Sequence, residues 1–360
     1  MPREGDSRAT EPAHRSDSHA VRAHLRGRFL MASSDFPTSS AGPTSSARNS
    51  GDGASRPKTE LTPFALPIIV IHLLSLTALV PAWFSWTNVL VMVVGVFVFG
   101  QGINLGYHRL LAHRSLVVPK WLEYFYVTLA LCCMEESPGK WVSTHRRHHT
   151  FSDEPTDPHS SRRGFWWSHA GWLMFRRSDV DGLVVDKRWS ADILSDRWYR
   201  TLERHWWLPP MFFLMQLVLY SGIGATIGWL LGETTGEIVH RSIGLTVWGV
   251  LVRTVAVWHI TWSVNSLTHA FGYRNYETGE NSRNNWLVAI LASGEGWHNN
   301  HHHDQASASN SHRWWEFDPT YWHIRLLERL GLARKVIRPR HLRHQERAAS
   351  ANEGSSNDAS

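Results

Sequence analysis

Residues 89–113 read VLVMVVGVFVFGQGINLGYHRLLAH, an apolar run that passes without a break into a histidine pair, His108 and His113. A helical run of this length can cross the roughly 30 Å hydrocarbon core of a bilayer. The chain therefore reads as an all-α integral membrane protein with chemistry-bearing residues at the end of a span. Working outward, spans are expected at about 63–84, 89–107, 208–231 and 243–265. The turn SWTN (85–88) joins the first two, and GETTGEIVHR (232–241) reads as the connector of the second pair. Four transmembrane helices under a helical cap are the simplest architecture.

Orientation follows from the cations. The N-terminal tail, the region 135–205 and the stretch from Arg313 to Arg347 are Arg-rich, whereas 232–241 carries few cations. By the positive-inside tendency the cap and both termini are expected in the cytoplasm, on a multi-pass protein. A shorter apolar stretch, 121–134, carries Glu123 near its start and precedes Glu135 and Glu136, so it reads as an interfacial helix. A crossing there would separate the histidines before it from those after it.

Residues 1–58 are rich in Ser, Arg, Pro and Gly without an apolar period, and read as a disordered tail. A membrane domain is expected over 59–335, followed by a polar C-terminal tail at 336–360. These tails explain a mean hydropathy of only −0.28. The net charge of +6 and pI near 9.5 would suit nucleic acid, but the excess Arg lies in tails and beside apolar spans, so no nucleic-acid partner is expected. Cys132 and Cys133 are adjacent in an apolar run and cannot form a disulfide framework.

Three histidine clusters stand out among 23 histidines: His108 with His113, His145-Arg-Arg-His148-His149, and His298-Asn-Asn-His301-His302. Asn265 and His269 lie one helical turn apart at the end of the last span. Spacing of i, i+3, i+4 puts imidazoles on neighbouring positions of one helix face. His108 and His113 are five apart, so the span is expected to end or unwind between them. Imidazole-rich ligation suits Fe, Zn, Cu or Ni. Nine histidines exceed what one ion can use, which points to two. A redox pair using O2 is a means of attacking strong C–H bonds, and the membrane supplies substrates that need it.

Other features have quieter readings. His205, His240 and His312 read as surface or capping residues, and His303 should point away from the site. The pairs Trp166–Trp167, Trp206–Trp207 and Trp314–Trp315 read as interface anchors. Arg253 and His259 inside the last span are either functional or paired within the bundle.

The boxes HRLLAH, HRRHH and HNNHH, with NSLTH (265–269) before the last, resemble those of the Δ9, stearoyl-type membrane fatty-acyl desaturases. The stretches WVSTHRRHHTFSDEPTDPHSSRRGFWWSHAGW (141–172) and GEGWHNNHHH (294–303) are similar to the bacterial, cyanobacterial and plant branch. The resemblance runs from about Leu61 to Leu332. It implies a cytoplasmic cap holding two iron ions on His108, His113, His145, His148, His149, His269, His298, His301 and His302, with Asn265 reaching a metal through water. It implies O2 as co-substrate, electrons from a separate redox protein such as ferredoxin or cytochrome b5, and a long-chain acyl-CoA or acyl-lipid substrate. A bent tunnel would be shaped by Trp141 and Thr261, with Glu135 where the animal enzymes carry Gln. HDQASASNS (303–311) departs from the aromatic continuation of the family. Asp153, Asp157 and His159 are candidates to orient ligand histidines, and Arg162 and Arg163 to hold a phosphate or lipid head group. A hydroxylase using the same boxes is the nearest alternative; a metal transporter would place its site nearer the bilayer midplane.

Overall fold

The computed structural model describes residues 59–178 and 182–345; the expected disordered tail at 1–58 and residues 346–360 lie outside them. Apart from a short antiparallel ribbon, β1 (Thr59–Leu61) against β2 (Phe175–Arg177), the described chain is helical. In chain order the helices are α1 (Ala65–Leu79), α2 (Trp86–Ala112), α3 (Lys120–Leu131), α4 (Pro138–Phe151), α5 (Lys187–Leu194) and α6 (Arg197–Arg204). They are followed by α7 (Leu208–Leu230), α8 (Thr235–Ala270), α9 (Trp286–Leu291), α10 (His298–His303) and α11 (Pro319–Arg329).

Three of these, α2, α7 and α8, are long and apolar enough to cross a membrane. Their outward faces expose rows of large apolar side chains, among them Leu90, Val94, Phe97, Leu214, Val218 and Leu219, a surface that water does not favour. The expected first span falls short. Helix α1 tightens to 3-10 geometry after Ser75 and stops before Pro81, and at about 1.5 Å per residue it does not reach across a hydrocarbon core. The expected connector at 232–241 is also mostly helix. The Thr234 side chain accepts from Glu237 N while Glu237 reaches back to Thr234 N, and this capping box starts α8 at Thr235.

Close packing of α2 on α3 positions the site. A Cβ on Gly102 would lie 2.3 Å from the Ala130 nitrogen, and one on Gly106 would lie 2.9 Å from the Tyr126 Cβ, so glycine alone admits this approach. Tyr107, Leu111, Val127 and Leu131 then join Val142 of α4 and Val257 of α8 in one core. Helix α3, with twelve residues, is too short to cross a bilayer alone.

Arg253 of α8 is fully buried, and its partners are uncharged. It reaches Gln216, the carbonyls of Gly249 and Cys132, and the face of Phe99. Trp258 Nε1 donates to the Cys133 carbonyl at 2.7 Å. Both tie the end of α3 to the bundle, so Arg253 is paired internally, the structural of its two readings. His259 packs between His72 and His169 at 3.2 and 3.0 Å. The folded unit runs past the expected boundary at 335. Ile337 N donates to the Ser115 carbonyl at 2.8 Å, and Arg343 pairs with Asp304 at 2.7 Å.

Gly102→Ala forces α3 off α2. A loss of about 1–3 kcal/mol, typical of overpacking, is expected, read as a lower unfolding temperature in detergent than the wild-type chain.

Candidate metal centre

The end of α2 is π-helical over Gly102–Ala112, and His113 N donates to the His108 carbonyl at 3.0 Å. The helix ends at Ala112 with His113 as its C-cap, so the expected end between these histidines is met. The wider turn of i→i+5 bonding brings residues five apart onto one face, so the capping His113 points inward beside His108, with ring centres 4.8 Å apart. Pro138 at the first turn starts α4, which supplies His145, His148 and His149, and α10 supplies His298, His301 and His302.

The nine histidines divide into two groups whose ligand atoms all lie within 4.8 Å of one another: His108, His113, His145, His149 and His301, and His148, His269, His298 and His302. Neither α4 nor α10 serves one group alone. The i, i+4 pair His145 and His149 belongs to the first while His148 crosses to the second; His298 and His302 belong to the second while His301 crosses to the first. Within the first group Nε2 atoms face each other at 3.0 Å (His108–His301), 2.8 Å (His113–His145), 3.0 Å (His145–His149) and 2.9 Å (His149–His301). In the second, His298 Nε2 lies 3.1 Å from that of His269 and 3.0 Å from that of His302. His148 Nε2 is buried without a hydrogen-bond partner.

The far nitrogens explain this. Nδ1 of His108 donates to Glu295 at 2.8 Å, that of His148 to Asp157 at 3.0 Å and that of His269 to Asp153 at 3.1 Å, while His302 Nδ1 is 3.6 Å from Glu280. A neutral imidazole that donates through Nδ1 presents a bare lone pair at Nε2. Converging lone pairs in a buried site repel unless a cation lies among them. Charge agrees: with Arg109 offset by Asp318 at 2.9 Å, the carboxylates of Asp153, Asp157, Glu280 and Glu295 carry four negative charges, those of two divalent cations. The donor set thus fits a pair of metal ions.

Burial alone would raise the Glu295 carboxyl, but the Arg109 guanidinium and His108 hold it down to about 2. Asp157 is held below the carboxylate range, against its burial, by His148 beside it and by the hydrogen bonds it accepts from His148 and the Asp153 backbone. His159 packs at a tilt against His148, with ring centres 4.2 Å apart, and burial pushes its imidazole down to about 3, so it is neutral.

A cavity of about 500 Å³ runs to this site, inside the usual range for small-molecule pockets of about 300–1,000 Å³. Its outer wall includes Pro63, Phe64, Trp206 and Pro209; its inner wall includes Glu135, Trp141, His145, His159, Thr261 and Asn265. A second cavity of about 60 Å³, between Val96, Ile103, Val257 and Val264, shares Trp141, His145, Thr261 and Asn265 with the first. The Glu135 carboxyl is buried with Oε1 unpartnered, and burial raises it to about 8 against the pull of Thr261 and Trp141 beside it. Its neighbours Met134 and Glu136 both hold positive φ, 55° and 69°, a local strain of the kind stored at functional sites.

Arg162 is exposed, Arg163 donates to the Pro155 carbonyl, and neither lines either cavity. His303 stacks on Tyr276 at 3.8 Å, away from the groups. Trp166, Trp206 and Trp314 point outward. Sequence reasoning missed Glu280, Glu295, Arg109 and Asp318. Glu295 stands three residues before His298, an acid beside a histidine box that could have been read as an orienting group. Glu280 comes from the loop after α8, and no spacing marks it.

Comparison with known proteins gives the family. The model of the fatty acid desaturase family matches residues 52–337, and the chain belongs to that family. It is an oxygen-dependent acyl desaturase. It is 41% identical over 286 residues to an sn-1 stearoyl-lipid 9-desaturase of Synechocystis, covering 78% of this chain and 83% of the relative. It is 43% identical over 270 residues to an sn-1 stearoyl-lipid 9-desaturase of Anabaena variabilis, covering 74% and 90%. It is 40% identical over 274 residues to an acyl-CoA 5-desaturase of Anemone leveillei, covering 75% and 77%.

Glu135 stays protonated in the folded chain up to about pH 8 but ionises near 4.5 when unfolded. The unfolded chain binds fewer protons in that window, so the Glu135 contribution to stability falls as pH rises through it. Glu135→Gln is expected to unfold at the same temperature as wild type at the acid end and at progressively higher temperature toward pH 8, with no further gain above it, by calorimetry in detergent.

Proposed function

We propose that the chain removes two hydrogens from neighbouring methylenes, at C9 and C10 of a saturated long-chain acyl group, at a centre of two iron ions held by the nine histidines, with Asn265 acting through a water. The observation that carries this reading is the meeting of two lone-pair-lined histidine groups with the inner end of an apolar cavity. The balanced change is CH2–CH2 + O2 + 2 e− + 2 H+ → CH=CH + 2 H2O. The ions, when bound, supply the reduction of O2 that makes a strong C–H bond reactive. The protein's part is placement. Neighbouring methylenes are chemically alike, so regiochemistry rests on the distance from the cavity mouth to Trp141 and Thr261, where the two cavities meet. The apolar walls exclude water from the reacting carbons. The carboxylates on His108, His148 and His269 hold those rings in the tautomer that ligation requires.

The acyl group enters as acyl-lipid or acyl-CoA, and electrons come from a separate carrier such as ferredoxin or cytochrome b5. In the membrane reading, α2, α7 and α8 cross the bilayer, α1 together with the Val80–Phe84 turn that leads into α2 makes a fourth and shorter crossing, and α3 lies at the interface. The cap and both termini face the cytoplasm, as the arginine distribution supports. The desaturase domain is 59–335 extended through Arg343.

In a desaturase-deficient host, expression is expected to produce monoenes with the double bond at C9, read from fatty-acid methyl esters with bond localisation. His148→Ala, expressed to the same level, should produce none. Hydroxy-acids without monoenes would favour the hydroxylase reading, and altered metal uptake without either product would favour transport.

A further inference from the structure

The two histidine groups differ sharply in surrounding charge, and we propose that Asp153, Asp157 and Glu280 make the four-histidine group the tight ion position, leaving the five-histidine group as the exchangeable one. This rests on the two-ion reading above and adds an order of binding to it.

Around the four-histidine group, three carboxylates approach three of the imidazoles. Asp157 meets His148 at 3.0 Å and Asp153 meets His269 at 3.1 Å; Glu280 lies 3.6 Å from His302 and 4.0 Å from His269. Their side chains are 0%, 0% and 10% exposed. The groups that hold them are neutral. Asp153 accepts from Ser161 Oγ and from the backbone of Ser161 and Asn281. Asp157 accepts from the backbone of Asp153 and His159, and Glu280 from Ser282 N and Oγ. Three negative charges thus stand beside this group; the donors to the three carboxylates are uncharged, and the guanidinium of Arg274, on the Glu280 backbone carbonyl at 2.8 Å, pairs with Glu277.

The five-histidine group is built differently. One of its imidazoles, His108, meets a carboxylate, and that carboxylate, Glu295, is shared with Arg109 at 2.9 Å. On the other side Arg146 donates to the carbonyls of Leu111 and Ala112, beside His113, at 2.8 and 2.9 Å, and its own partner is Asp192. Arg109 is balanced by Asp318 and Arg146 by Asp192, so this position sees one net carboxylate charge, that of Glu295, against three at the other.

Charges in a dry interior interact strongly and are little screened, and a carboxylate on Nδ1 raises the basicity of the ligating nitrogen. Both effects deepen binding at the four-histidine group and favour the higher-charged state of an ion there. Ligand count alone gives the reverse order, since the other group has one more imidazole. Asp153, Asp157 and Glu280 are positioning residues in this account.

Iron-free full-length protein in lipid nanodiscs, given one equivalent of a Mössbauer-visible iron isotope without oxygen and then filled with a silent isotope, tests it. The expected spectrum is one quadrupole doublet, kept in His113→Ala and lost in His298→Ala. Two variants keep every ligand and remove one charge. In Glu280→Gln the preference should shrink by about 10–100-fold, the usual effect of losing such a partner, so that the label spreads into two doublets; in Glu295→Gln it should persist. Two ions bound with the label evenly spread, or spread in Glu295→Gln but not Glu280→Gln, would overturn the order while leaving two-ion binding intact. Failure of the wild-type chain to take up a second ion would remove both.

Discussion

Buried imidazole nitrogens that converge in two groups are the constraint on which the rest of this structure turns. His108 Nε2, left bare by the Glu295 carboxylate behind Nδ1, faces His301 Nε2 at 3.0 Å, and His269 Nε2, left bare by Asp153, faces that of His298 at 3.1 Å. Such an interior is stable only if the rings are held rigidly from behind and a positive charge is available in front. The carboxylates of Glu295, Asp157 and Asp153 provide the first, and buried net negative charge provides for the second. Much of the polar network has no other evident purpose. Arg109 spans Glu295 and Asp318 with paired bonds to each, and Asp318 in turn caps α11 through Tyr321 N. A ligand's orientation is thereby coupled to a helix start more than two hundred residues away in sequence.

Rigidity behind the ligands also comes from helix packing. Gly102 and Gly106 let α3 lie directly on α2, and the π-helical stretch of α2 is braced along that contact. A π turn is a costly local geometry kept where function demands it. Here it turns a five-residue spacing into a shared face. Arg253, Gln216 and Trp258 fix the carbonyls at Cys132 and Cys133, and the strained turn that follows presents Glu135 to the cavity. The wall that selects among methylenes is therefore as firmly held as the histidines.

Much of this was legible in advance because the signals are local. Apolar runs of twenty residues, arginine-rich loops and HxxHH spacing are properties of contiguous residues, and they supported a helical membrane protein with nine inward imidazoles. Asp153 and Asp157 were legible too, lying within a few residues of His148 and His149. Some local signals went unread, and elsewhere a distant segment decides the outcome. The helix of the first span stopped before Pro81, the expected connector became part of α8 through the Thr234 capping box, and neither Arg162 nor Arg163 lines a cavity. The folded unit also continued to Arg343, because Asp304 recruits it.

By itself the sequence determined the kind of residues available and their spacing along each helix, hence the helical class, the membrane character and the set of histidines. Only the tertiary structure decided how those histidines are shared. A helix fixes the angle between side chains three and four apart, which is why each box could be seen. It does not fix which of them meets which partner across the bundle. That division places His148 with His298 and His145 with His301, and it depends on the depth and rotation of four helix ends packed together, quantities set by glycine contacts, buried arginines and carboxylates scattered over the whole chain.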